Sequence, residues 1–367
     1  MKTTHLATAV AWLSAAAPAA AYDLNDNLSL GVTLAAVGQC QSVSGDDTAD
    51  ACRGAIPFQL EGAFRPAEGH ELGFKLGFAA GNGLNAISPF ALAPWAADLE
   101  DDVKNLNGRD RDYLLAAWYR YEVQLAEDNT LGAAVGILDS TEYLDNNEYA
   151  NDEYTQFMNE AFVNSGSYGL PSYDTGAALQ WAIGDWSVSA VAMNVGENDD
   201  GNNYNFYGAQ LAYRLETELG PGNYRLILAG TSDDFLDPTG TKLTQRVGGG
   251  VSFDQAFGDV IGAFLRLTWQ DDDALVDYEA LYSGGLNFKG AAWGREADNV
   301  GVGYAYLAGG NAGLDHTQVF ETYYRFGLTD AVAITADVQW MKDEVRDGAD
   351  DDDRDGWIVG LRFTAAF

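Results

Sequence analysis

Trp357-Ile-Val-Gly-Leu-Arg-Phe-Thr-Ala-Ala-Phe367 closes the 367-residue sequence. Its odd positions carry Trp357, Val359, Leu361, Phe363 and Phe367, and its even positions carry Gly360, Arg362 and Thr364. One face is apolar and the other tolerates an arginine, the period of two that a β-strand presents. The ends of soluble domains usually fray. An aromatic-tipped strand in this place instead fits a transmembrane barrel, whose last strand pairs with its first and leaves no sheet edge. The expected fold is all-β, a transmembrane antiparallel β-barrel.

The same alternation recurs along the chain. Strands are expected near 27–37, 56–65, 70–80, 111–124, 129–139, 173–183, 185–195, 203–216, 222–233, 243–254, 258–270, 276–289, 297–308, 317–328, 331–342 and 355–366. That makes about sixteen, an even number as bacterial barrels require. Every second connection is short: 66–69, 126–128, 184, 217–221, 255–257, 290–296 and 329–330. The others tend to be longer, notably 38–55, 81–110, 140–172, 234–242, 309–316 and 343–354. Short turns on one side and long loops on the other are the asymmetry of periplasmic and external faces.

The start of the chain fits export. Met1-Lys2 is basic, residues 6–17 are mostly apolar, and Ala19-Ala20-Ala21 suits cleavage by a signal peptidase. The apolar run is too short to span a bilayer as a helix. The expected organisation is a signal peptide over 1–21 and one barrel domain over 22–367. Cys40 and Cys52, the two cysteines, are expected to form a disulfide within the first external loop, as exported proteins allow.

A formal net charge of −35 argues against nucleic acid as a partner. Acidic runs such as Asp271-Asp272-Asp273 and Asp350-Asp351-Asp352-Asp353 fall in the expected external loops and read as solvated surface. The stretch 147–163 in the third external loop spaces Tyr149, Tyr154, Phe157, Met158, Ala161 and Phe162 as a helix would. It also carries Asp152, Glu153 and Glu160. A helical loop of this kind is expected to fold into the barrel and narrow it.

Parity then sorts lipid from lumen. Phe58, Leu60 and Phe64 point out, while Gln59, Glu61 and Arg65 point in. Lys75 points in on the next strand, and Trp118, Arg120 and Glu122 on the one after, with Leu115, Tyr119 and Tyr121 outside. Late in the chain Glu321, Tyr323, Arg325, Asp337, Gln339 and Arg362 point in. With Arg214, Arg225, Arg246 and Arg266, nine of the 20 lysines and arginines face the lumen. Any charge in a spanning strand must face inward, because lipid exposure costs about 2–4 kcal/mol at midplane. Cations beside so many inward carboxylates also form donor and acceptor arrays for hydroxyl-rich solutes, and Trp118 offers a flat apolar face.

Several stretches resemble the carbohydrate-selective porins of the OprB type. They are Leu99-Glu-Asp-Asp-Val-Lys-Asn-Leu-Asn-Gly-Arg-Asp-Arg-Asp-Tyr-Leu-Leu-Ala-Ala-Trp-Tyr119, residues 147–164, and Gly294-Arg295-Glu-Ala-Asp-Asn299. Glu321-Thr-Tyr-Tyr-Arg-Phe-Gly-Leu-Thr329 and Asp337-Val-Gln-Trp340 complete the likeness. The pattern departs at Glu296, where the family's turn is expected to hold proline. The resemblance implies a sixteen-stranded outer-membrane porin that passes glucose and other small sugars. Loop three and the lumen arginines would form its constriction. The expected pore lining is Arg65, Lys75, Trp118, Arg120, Glu122, Asp152, Glu153, Glu160, Arg325, Asp337 and Arg362. A general or cation-favouring porin is the alternative. Outer-membrane lipid and lipopolysaccharide are the expected surroundings, and a homotrimer and a monomer are both open. No cofactor or metal is called for. An enzyme is not expected, since His5, His70 and His316 are the histidines and no serine lies in a G-x-S-x-G context.

Overall fold

The computed structural model describes residues 22–44, 49–346 and 352–367. The expected export signal over 1–21 lies outside these residues, as do 350–351 of the last acidic run. Sixteen long strands form the wall. The first four are β1 (Leu28–Val43), β2 (Ala51–Ala67), β3 (His70–Ala80) and β4 (Leu114–Ala126). Then come β5 (Asn129–Leu138), β6 (Asp174–Ile183), β7 (Trp186–Val195) and β8 (Tyr204–Thr217). β9 (Gly220–Thr231), β10 (Val247–Phe257), β11 (Ile261–Gln270) and β12 (Tyr278–Lys289) follow. β13 (Asn299–Gly309), β14 (Leu314–Gly327), β15 (Val332–Val345) and β16 (Arg354–Ala366) complete it.

Each strand pairs antiparallel with the next, and β16 pairs with β1 from Gly356↔Val43 to Ala366↔Thr33, so the sheet closes on itself. A four-residue strand, Tyr22–Asn25, adds to the start of β1. Closure satisfies every wall strand on both sides, which is what a hydrocarbon surrounding demands. The outer face is greasy: Leu361 is 59% exposed and Leu228 60%. Trp181 and Trp186 stand outward near the short turns, and Trp269 and Trp357 near the external ends. Aromatic rings at both levels match the two interfaces of a bilayer.

Three expectations need correction. The first external loop is shorter than 38–55, because β1 runs to Val43 and β2 starts at Ala51. Cys40 and Cys52 do form a disulfide, but as directly opposed residues of β1 and β2 with Cα atoms 4.0 Å apart. It closes the segment between them from the flanking strands rather than from within the loop. The second correction concerns Leu115. A β-bulge pairs Lys75 with Ala116 and Leu76 with Leu114, leaving Leu115 as an extra residue. The bulge turns Leu115 inward, where it is fully buried against Val103 and Leu106. The third is the constriction loop. Residues 139–173 contain only two 3-10 turns, Ser140–Glu142 and Glu160–Phe162, and no α-helix. The helical spacing of its apolar residues arises because Phe157 and Phe162 pack together, with centroids 4.7 Å apart, on Phe264 of the wall. That packing overrides local propensity.

Candidate functional site: the narrowed lumen

Two external loops fold into the barrel: loop two (81–113) and loop three (139–173). An irregular loop leaves backbone groups unpaired, and inside a barrel they must find partners. Three buried charged residues of the wall supply them. Arg266 of β11, 0% exposed, pairs with Asp145 at 2.9 Å and donates to the carbonyls of Ala150 and Phe162. Arg362 of β16 donates to the carbonyls of Glu153 at 2.6 Å and Gln156 at 2.9 Å. Glu321 of β14 accepts the backbone N–H groups of Met158 and Asn159. Asn159 in turn donates to Gln339 of β15 at 3.0 Å.

Loop two bonds both the wall and loop three. The Pro94 carbonyl accepts from Gln39 of β1 at 3.1 Å and from Gln339 at 2.9 Å. Trp95, fully buried, donates its indole N–H to the Glu153 carbonyl at 3.0 Å. Ala91 N–H reaches Asp343 and Ala93 N–H reaches Glu160, at 2.9 and 3.0 Å. Ala35, Val37 and Ala55 of the wall pack with Leu99 and Met158 of the loops. The β1, β2 and β14–β16 side of the lumen is thereby filled.

Charged groups gather where β3 and β4 face the loops. Lys75 lies over the Tyr173 ring at 5.9 Å and forms no ion pair among the described residues. Its charged surroundings are Asp98 of loop two, Glu142 and Asp139 of loop three, and Glu61 of β2. Asp98 accepts from the Tyr173 hydroxyl at 2.8 Å and from Gln59 at 2.9 Å. Loss of solvent raises the Glu142 carboxyl to about 7, with Asp139 adding to the rise and Lys75 and Arg120 opposing it. Glu153 is raised to about 8 by the same desolvation, with Asp152 and Asp98 as the next causes.

Below Lys75, toward the periplasmic end, Glu71 is a hub. It pairs with Arg65 at 3.0 Å and with Arg120 at 3.7 Å, and accepts the Trp118 indole N–H at 3.1 Å. Arg120 also reaches the Tyr143 hydroxyl at 3.4 Å. Trp118 lies flat on Gly73, where an added Cβ would stand 2.1 Å from the indole ring. Only glycine permits that approach.

The structure thus divides the expected lining. Arg65, Lys75, Trp118, Arg120 and Glu122 share the β2–β4 side. Arg362 and Asp337 are buried at 0% and 1% exposure beneath the inward loops. Asp152 caps its own loop by accepting from Tyr154 N–H and Thr155, Glu153 sits above Arg362, and Glu160 bonds loop two. Arg325 is apart from all of these and donates to Ala297 in the periplasmic turn. Parity could have identified Glu71, two positions from Gly73 and four from Lys75. Asp98 and Glu142 carry no periodic signal, and Asp139 and Tyr173, expected at strand ends, lie just beyond β5 and before β6, so loops position all four.

A closed antiparallel barrel of sixteen strands with two loops folded into it is the architecture of the porin class. The chain belongs to the OprB family of carbohydrate-selective porins, which residues 102–367 match. It is therefore a bacterial outer-membrane protein of a family of channels. It is 30% identical over 275 residues to an uncharacterised protein of Aquifex aeolicus (strain VF5), spanning 74% of this chain and 75% of that one. The fold is similar to that of Pseudomonas putida OprB in its high-pH structure. The TM-score is 0.72 at 17% identity, over 93% of this chain and 94% of that one. It is also similar to Pseudomonas aeruginosa OccK11 (OpdR), with a TM-score of 0.53 at 11% identity over 93% and 96% of the two chains.

Proposed function

We propose that this porin carries small neutral sugars such as glucose by passive diffusion, and that the segment 1–21 is removed on export. The observation that carries this reading is the arrangement around Lys75. One ammonium stands among Asp98, Glu142, Asp139 and Glu61 without closing an ion pair with any of them, among the described residues. Donor and acceptors therefore remain available to a passing solute. A neutral polyhydroxyl molecule satisfies both at once, whereas an ion meets attraction from one set and repulsion from the other. Lower down, Arg65, Arg120 and Glu71 repeat the pattern beside the indole of Trp118.

The surplus of carboxylates over ammonium groups at this point favours a second reading, a general porin with cation preference. Swelling of liposomes containing the purified barrel, with sugars and amino acids of matched size, separates the two. Faster entry of glucose than of a size-matched zwitterion supports the sugar reading. Equal entry, with cations preferred in bilayer recordings, supports the second.

A further inference from the structure

A cavity of about 180 Å³ lies on the luminal side of the external ends of β8–β11. Loops three, four (196–203) and five (232–246) close over it. It differs in its lining from the Lys75 cluster, which is built on β2–β4 and loops two and three, with loop three contributing other residues to each. We propose that this cavity is an outer-vestibule subsite for one sugar ring. There a neutral polyhydroxyl solute is held before it passes loop three. This rests on the sugar-porin reading above.

Three features argue for it. The first is an aromatic corner. Tyr204 of β8 meets Phe235 of loop five edge to face, with centroids 4.9 Å apart. Phe206 and Tyr168, 1% and 4% exposed, form the floor. Pyranose C–H faces lie against such rings because they are apolar on one side and hydroxylated at the edge.

The second is unused hydrogen-bonding capacity at the wall. Gln270 donates to the Tyr278 carbonyl at 2.7 Å, but its Oε1 is buried without a partner among the described residues. Arg246 stacks its guanidinium 4.3 Å from the centre of the Phe235 ring and donates one Nη2 bond to the Leu275 carbonyl. Its Nε is likewise without a partner. Buried polar atoms without a protein partner each call for an explanation, an ordered water or a bound polar group among them. One acceptor and one donor beside an aromatic corner match a hydroxyl-bearing ring.

The third is charge. The rim carboxylates Glu197 and Asp199 are exposed, and Arg246 at the end of loop five is the cation of the lining. Two negative groups against one positive group repel anions, while the arginine seated on Phe235 opposes a cation at the aromatic corner. A neutral solute meets neither obstacle.

The test uses Gly169, which lines the cavity and where an added Cβ meets no atom within 4 Å. Gly169→Leu adds an apolar side chain at the cavity lining where its Cβ meets open space, and the barrel is expected to assemble as wild type. Arg246→Met keeps the stem over Phe235 and removes the donors. Each variant is reconstituted in planar bilayers, and D-glucose is titrated against the ion current from the loop side. We expect the glucose concentration for half-maximal block to rise about tenfold in each variant, the size of one lost ring or donor contact. The same half-block concentration in wild type and Gly169→Leu, with current and glucose entry intact, overturns the subsite and leaves the porin reading standing. Block of wild type by calcium but not by glucose also overturns it. A wild-type barrel that passes no current refutes the porin reading, and the subsite falls with it.

Discussion

Phe367 and Val32 exchange two backbone hydrogen bonds, Phe367 N–H to the Val32 carbonyl at 2.9 Å and Val32 N–H to the Phe367 carbonyl at 2.8 Å. They are the last rungs of the seam between β16 and β1. A barrel without them has a frayed edge at the membrane boundary. Deleting 366–367 is expected to abolish the compact, heat-modifiable band that folded barrels give on electrophoresis. A truncated chain that assembles as wild type does would show the seam to be dispensable.

The disulfide has a separable role. Cys40 and Cys52 enclose a sequence separation of 12 and join strands already paired by β1–β2 hydrogen bonds. Reduction is expected to lower stability by about 2–3 kcal/mol through the freedom restored to the unfolded chain. The closed barrel should persist. Thermal melts with and without reductant measure this, and loss of the barrel on reduction would mean that the bond is required for closure.

Much of the wall was legible from residues of one kind. Trp357, Val359, Leu361 and Phe363 alternate with Gly360, Arg362 and Thr364, and lipid outside with polar lumen inside makes that alternation compulsory. Leu115 shows where the rule stops. A bulge inserts one residue, and parity beyond it inverts. The interior was less legible. Arg362 faces inward as its parity requires, yet it is covered by loop three and bonded to Glu153 and Gln156. Nothing in a strand's period says whether a loop lies over it. Asp98 and Tyr173 meet at 2.8 Å from positions 75 residues apart, one in a loop and the other just before the strand that begins at Asp174.

Loop three is expected to open when its anchor is cut. Arg266 is a fully buried tether, with an ion pair to Asp145 and two carbonyl partners. Arg266→Ala leaves the Asp145 carboxylate buried and unpaired, a loss of about 3–5 kcal/mol for such pairs. The loop should detach while the wall survives. Single-channel conductance is expected to rise. Unchanged conductance would mean that Glu321 and Arg362 hold the loop alone.

Ion preference is expected to depend on pH through Glu142. Its carboxyl, raised to about 7 chiefly by desolvation, holds its proton at about pH 6 and is ionised at about pH 8. Deprotonation adds a negative charge beside Lys75 and Arg120. Cation-to-anion permeability should therefore rise as pH rises across this range. In Glu142→Gln the rise should flatten. Reversal potentials in asymmetric salt measure the ratio, and an equally steep rise in the variant would assign the effect to another group.

The paired charges beside Trp118 are the centre of the account, and Arg120 is their most informative member. It contacts Glu71 at 3.7 Å and Tyr143 of loop three at 3.4 Å on the β2–β4 side of the lumen. The direct measurement is the ratio of glucose entry to entry of a size-matched amino acid, in liposomes carrying wild type or Arg120→Ala. The ratio is expected to fall in the variant, with ion preference moving toward cations. An identical ratio in both would show that the lumen arginines follow only from the parity of the wall and take no part in selecting sugar.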